Sequence, residues 1–222
     1  MRKTFYQRHK QDFEKFNGIF LGNPVLEKGL ILAPVVVASY NWDNAFVLGC
    51  AFMIITFFSV LISSFVPKKI PYTVRTIIYT LIASLIFIPV AYYMNMIYPE
   101  TVFKLGVFLP LLIANSLIVV KSESRFHQHT KGYMLVDLFC HCVGFFFVIM
   151  FVGILRELLG SGSFMGTPIN GMIKAPSILL PFSGFVIVGF LAAILRHINF
   201  LLNEPKYERS DRAKQKENAE KK

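Results

Sequence analysis

The sequence is short of charge, shorter still of acid, and has almost no tryptophan. Charged residues fill 16% of its 222 positions, Asp and Glu together number 13, and Trp occurs once. A soluble domain carries about 25% charged residues, so this chain lacks the polar surface that a water-facing fold needs. It has only three cysteines, Cys50, Cys140 and Cys142, and the last two are expected at cytoplasmic or mid-membrane depth, which argues against a disulfide there. A Walker loop, a dinucleotide fingerprint, zinc-ligand spacing and a nucleophile elbow are all missing, so no catalytic residue and no metal site is assigned. The net charge of +10 comes without a basic face interleaved with stacking aromatics, which argues against nucleic acid.

What is present is apolar. Hydrophobic residues make up 55% of the chain, mean hydropathy is +0.55, and there are 23 Phe and 9 Tyr. Asn44 to Val66, Thr76 to Tyr98 and Ala175 to Leu195 are free of Asp, Glu, Lys and Arg. Each is long enough for the roughly 20 residues that cross a hydrocarbon core. Leu138 to Leu155 is a little shorter and includes His141, and Gly29 to Trp42 and Leu105 to Val120 are shorter again. The short runs either borrow flanking residues and span, or lie in the membrane as re-entrant or interfacial segments. Counting them as spans predicts an all-α integral membrane protein of six transmembrane helices. Three parts follow: a cytoplasmic N-terminal segment (1–22), a transmembrane domain (23–203) and a charged, disordered cytoplasmic tail (204–222). The polar, basic start from Met1 to Phe16 does not read as a cleavable signal peptide.

Lysine and arginine set the orientation. With a cytoplasmic start, nineteen of the 23 fall in inside segments, including Lys68, Lys69, Arg75, Lys121, Arg125 and Lys131. Only Lys104, Arg156 and Lys174 fall outside, with Lys28 at a helix start. Positive residues stay on the cytoplasmic side, so both termini are expected there.

The two short Pro-containing runs are first and fourth of the six, and they can be overlaid. Lys28-Gly29-Leu30-Ile31-Leu32-Ala33-Pro34 aligns with Lys104-Leu105-Gly106-Val107-Phe108-Leu109-Pro110. Three helices per half insert the second copy upside down, giving two inverted repeats with helix breaks at Pro34 and Pro110. Each Pro removes a backbone donor and frees a carbonyl inside the membrane, a pointer to a midplane site. Two ordinary Pro-kinked helices would look the same.

Leu105 to Ser116 (LGVFLPLLIANS) resembles the fourth span of the paired membrane subunits of the Rnf complex and the Na+-pumping NADH:quinone reductase. Gly29 to Ala38, Ile70 to Ser84 with Arg75, Asp137, Arg156 to Gly162 (RELLGSG) and Pro181 to Phe185 (PFSGF) extend the likeness. The inside start is similar to the Rnf E (quinone reductase D) side of the pair. The resemblance implies a non-catalytic membrane subunit of a redox-driven ion translocase in the bacterial cytoplasmic (inner) membrane. Its partners would be a homologous six-helix subunit of opposite topology and further subunits bearing flavin and iron–sulfur centres. In the family each of the two subunits gives two Cys to a shared [2Fe–2S] cluster. Here Ala33 and Ser116 stand at those positions. Alanine has no ligand atom and a serine hydroxyl is a hard substitute for thiolate, so no cofactor is expected in this chain.

Among groups at membrane depth, Asp137 and Glu157 are the ion-pathway candidates, since buried charge in a membrane is costly and often marks a route. Helix N-terminal stabilisation is the plainer reading of Asp137. Arg156 and Glu157, at the end of a span, are expected to snorkel or pair. In Cys140-His141-Cys142, residues two apart on a helix point about 200° apart, so both thiols cannot easily reach one metal. Two buried thiols and a satisfied histidine are expected instead. Two other functions fit the same topology: a small-solute or ion transporter using the repeat, and a structural scaffold for cofactor-bearing partners.

Overall fold

The computed structural model describes residues 23–200 apart from 24, 27–28, 30, 68, 125–130, 170–173 and 199. The predicted N-terminal segment and charged tail therefore lie outside the described residues, as does part of the first short run. The described chain is almost wholly helical. A π-helical turn (Pro34–Ala38) leads into α1 (Trp42–Ser63), α2 (Tyr72–Ile97) and the short α3 (Pro99–Leu105). Two 3-10 turns (Gly106–Phe108 and Pro110–Ala114) connect to α4 (Ser116–Ser124), followed by the long α5 (Lys131–Ser161). A two-residue hairpin, β1 (Ser163–Phe164) with β2 (Thr167–Pro168), and a 3-10 turn (Pro176–Leu179) precede α6 (Pro181–Ile198).

Among the described residues, α1, α2, α6 and Leu135–Ser161 of α5 are long and apolar enough to cross a membrane. Pro99–Phe108 and Pro110–Glu123 make a fifth crossing if the pair, bent by 47°, is one broken span. The first short run is not a single helix here: its π turn ends at Ser39, and Trp42 already belongs to α1. The predicted sixth span also starts late. Pro176 and Pro181 each open a new helical segment, because a proline fits the first turn of a helix and not its interior.

α1 is the hub, packing on α5 along one side and on α2 along the other. It is apolar all round, which suits a helix enclosed by others. Phe52 stacks on Phe145 of α5 with ring centroids 3.8 Å apart. Near the other end of the contact Gly153 lies so close that an added Cβ would sit 2.6 Å from Ala45 Cβ. Small residues at such a crossing let the two backbones approach within lipid. α2 and α6, by contrast, turn apolar rows outward. Ile77, Leu81, Leu85 and Ile88 recur at helical spacing and are each more than half exposed, as are Phe182, Phe185 and Phe190. In water such surfaces would drive aggregation, whereas in a bilayer they meet acyl chains or a second apolar protein surface.

Candidate functional site

Buried charge gathers at the two ends of α5. At one end Lys121 of α4 reaches Asp137, with Nζ 2.6 Å from Oδ2. His141, one turn further along α5, directs Nδ1 at the Asp137 carbonyl oxygen at 2.8 Å. A carbonyl only accepts, so Nδ1 carries the hydrogen, and Lys121 Nζ lies against the ring, 3.2 Å from Nδ1 and 3.1 Å from Nε2. Lys121, Asp137 and His141 are 2–3% exposed. The sequence reading put Lys121 in a cytoplasmic loop; it is instead a helical residue paired inside the protein. Arg75, counted with the same loops, is likewise buried in α2 and donates to Glu123 of α4 at 2.9 Å, beside the Tyr79 hydroxyl at 3.0 Å from the same carboxylate. An unpaired charge at this depth would be costly, and cross-helix pairing is how each is accommodated.

Further polar groups are buried on α1 and α4. Asn115 interrupts the fourth span in an extended conformation. Its side-chain oxygen accepts from Leu117 N at 2.8 Å and its amide donates to Thr56 Oγ1 of α1 at 3.0 Å. It thus caps α4 while fastening the break to the hub helix. Ser59 and Ser63 of α1 and Ser122 of α4 bury hydroxyls that have no protein partner among the described residues. Such groups ordinarily hold water.

At the far end of α5, Arg156 and Glu157 divide the work by sign. Arg156 is fully buried and does not snorkel. Its guanidinium donates to five backbone carbonyls: Val36 (2.5 Å) and Ser39 (3.3 Å) from the π turn, and Ile178 (3.2 Å), Leu179 (2.7 Å) and Leu180 (3.2 Å) around the last 3-10 turn. These are helix C-terminal carbonyls, where a cation is favoured. Glu157 takes the donors instead. It accepts from Trp42 N at the start of α1 (2.7 Å), from Gly166 N (2.8 Å) and from Ser163 Oγ (3.2 Å). Both Glu157 oxygens are thus engaged, one on the start of α1 and the other on the hairpin.

The two prolines mark breaks, but not by the route the sequence suggests. Pro34 and Pro110 each sit in the first turn of a short helical segment, where the missing N–H costs nothing. In the first segment the carbonyls left over are later ones, Val36 and Ser39, and Arg156 claims them. Each segment is preceded by a glycine in the left-handed region, Gly29 at φ 62° and Gly106 at φ 48°. Gly184 of α6 closes against the first: an added Cβ there would meet Val36 O at 2.6 Å.

Ala33 and Ser116, the positions of interest for a cluster, are both exposed on these broken segments. Cys140 and Cys142 are buried free thiols on α5. Cys142 borders an apolar gap of about 190 Å³ with Met53, Phe57 and Phe139. Among the described residues no group of His, Cys, Asp and Glu is arranged to hold a metal. The larger groove, about 550 Å³ and lined by Trp42, Phe146, Phe151 and Leu191 together with Asn23, is almost wholly apolar. Sequence reasoning found Asp137 and His141 but missed Lys121 as their partner and Arg156 as a clamp. No periodicity signals a contact across a loop, and backbone carbonyls leave no mark in a sequence.

Long lipid-suited helices around buried, paired charges define a multi-pass, all-α membrane protein. Residues 14–193 match the family described as Rnf-Nqr subunit, membrane protein, and the chain belongs to that family. It is 29% identical over 191 residues to the D subunit of the Na(+)-translocating NADH-quinone reductase of Tolumonas auensis, covering 82% of this chain and 88% of that protein. It is 25% identical over 199 residues to the E subunit of the proton-translocating ferredoxin:NAD(+) oxidoreductase complex of Clostridium ljungdahlii, covering 88% and 93%. The E subunit of the ion-translocating oxidoreductase complex of Aliivibrio fischeri is 31% identical over 147 residues, covering 66% and 65%.

Proposed function

We propose that this chain is a membrane subunit of an ion-translocating electron-transport complex of the Rnf/Nqr kind. The observation that carries the reading is the length of the likeness: two relatives aligned over more than four-fifths of this chain are both subunits of ion-translocating oxidoreductases. Buried, paired charge inside an apolar bundle supports it, because a subunit with only a lipid-packing role has no need of Asp137 at that depth. The chain sits in the bacterial cytoplasmic membrane with both termini inside. It pairs with a homologous subunit of opposite topology through the broken segments, where the small residues Ala33, Ala114 and Ser116 are exposed.

The donor set does not fit the family's cluster. Ala33 supplies no ligand atom, and a hydroxyl at Ser116 is a weak, hard donor for iron. Two thiolates from a partner would leave the irons short of ligands in surroundings that cannot solvate their charge. Flavin and iron–sulfur centres belong to partner subunits, and this chain holds none. That same departure favours a scaffold role in electron transfer, with ion passage kept at Asp137.

Affinity purification of the tagged chain from its native membrane tests the assembly. A second six-helix subunit and flavin- or iron-bearing subunits are expected to co-purify. A stable chain that recruits no membrane partner overturns the reading. Low-temperature EPR of the membrane subunits, freed of soluble iron–sulfur subunits, should show no signal that responds to Ser116→Ala.

A further inference from the structure

We propose that the Lys121 ammonium is a built-in cation occupying the metal-cation position of the Asp137 carboxylate, so that the ion passed at this point is the proton and not an alkali-metal ion. The proposal rests on the ion-translocating reading above and names its ion. The relatives leave that choice open, since one is a subunit of a Na(+)-translocating complex and another of a proton-translocating one.

The geometry decides against a metal. Lys121 Nζ lies 2.6 Å from Asp137 Oδ2, direct contact between opposite charges with both side chains almost sealed from solvent. A second cation on the same carboxylate would sit beside the ammonium. Two like charges about 4 Å apart, at an effective dielectric constant of about 20, weaken such binding by roughly a thousandfold. Neighbouring ligand atoms are also engaged: the Asp137 carbonyl accepts from His141 Nδ1–H, and the ammonium lies against the His141 ring, 3.2 Å from Nδ1 and 3.1 Å from Nε2. A nitrogen ligand is in any case poorly suited to a hard alkali cation.

A proton meets none of these obstacles. An N–H bond of the ammonium breaks as an O–H forms on Asp137, leaving a neutral amine and a neutral acid with the total charge unchanged. That transfer moves a proton over a contact already at hydrogen-bond distance. Ser122 of α4 and Ser63 and Ser59 of α1 bury further hydroxyls that either ion could use. Selection is made at Lys121.

The test compares the purified complex carrying the native chain with complexes carrying Lys121→Met and the charge-balanced Lys121→Met/Asp137→Asn, using sodium-23 NMR line broadening without turnover. The native and double-variant complexes should broaden the signal alike, because Asp137 holds no sodium while Lys121 is present. The Lys121→Met complex should add a sodium-binding component, strengthened by roughly a thousandfold over native. Broadening that the native complex shows and the double variant loses overturns the proposal, as does an assembled Lys121→Met complex that binds no more sodium than native. If Lys121→Met fails to assemble, the comparison of native with the double variant decides alone. Electron transfer that drives no ion uptake of either kind would defeat the translocating reading instead, while the NMR comparison would still report on Lys121.

Discussion

Replacing Arg156 by leucine removes the donor that five carbonyls share. Ile178 and Leu180 keep the Ser183 hydroxyl as a second donor. Val36, Ser39 and Leu179 have no side-chain donor other than Arg156 among the described residues. A buried carbonyl left unsatisfied costs about 1–3 kcal/mol, so three of them cost roughly 3–9 kcal/mol. Removing a buried guanidinium also relieves its desolvation, which offsets part of that loss and favours the lower end. A net loss of about 3 kcal/mol, at roughly 2–4 °C per kcal/mol for a chain of this size, lowers the melting temperature by roughly 6–12 °C. Arg156→Lys should recover part of the loss, since an ammonium keeps the charge but brings three donors in place of a five-donor fork. The assay is thermal unfolding of the purified complex in detergent, followed by tryptophan fluorescence, with Trp42 beside the joint as reporter. An Arg156→Leu complex melting within about 2 °C of native would refute the carbonyl-clamp reasoning.

Other consequences are smaller in scale. Asn115→Leu removes the α4 cap and the bond to Thr56, and should cost about 1–2 kcal/mol. A double-mutant cycle with Thr56→Val should return a coupling of roughly 0.6–1.7 kcal/mol, and zero coupling would disprove the contact. Gly153→Ala forces a methyl against Ala45 and should destabilise the α1–α5 crossing by about 1–3 kcal/mol. Gly189→Ala, where an added Cβ meets nothing within 4 Å, should be neutral or slightly stabilising under the same melt. Single cysteines at Lys69 and Met165, both exposed, should react with membrane-impermeant reagent from opposite sides, Met165 from outside. Labelling of both from one side would overturn the topology.

The spans that read clearly in the sequence are those whose stability is local: α1, α2 and the middle of α5 follow from uninterrupted apolar runs, because lipid forces any such run to satisfy its own backbone. Asp137 stood out for the same reason, as an isolated acid beside an apolar stretch. Its partner did not. Counting Lys121 and Arg75 by their distance from a span end treats every such cation as solvated, and only the packing of α4 on α1 and α2, with Lys121 reaching Asp137 of α5, distinguishes a snorkelling side chain from a paired one. Pro34 and Pro110 located the breaks, but the form of each break depended on partners elsewhere in the chain: Arg156 for the first, Asn115 with Thr56 for the second. The backbone groups that Glu157 anchors were not legible either, since depth alone carries no information about which N–H groups converge on a carboxylate.

The central claim, that this chain serves redox-driven ion movement, is tested most directly in inverted vesicles of the native membrane from strains with and without it. Adding the complex's electron donor should drive ion uptake in the first and not in the second, with uptake restored by the native chain and much reduced with Asp137→Asn. Uptake that is the same with the chain present, absent or carrying Asp137→Asn would contradict the account.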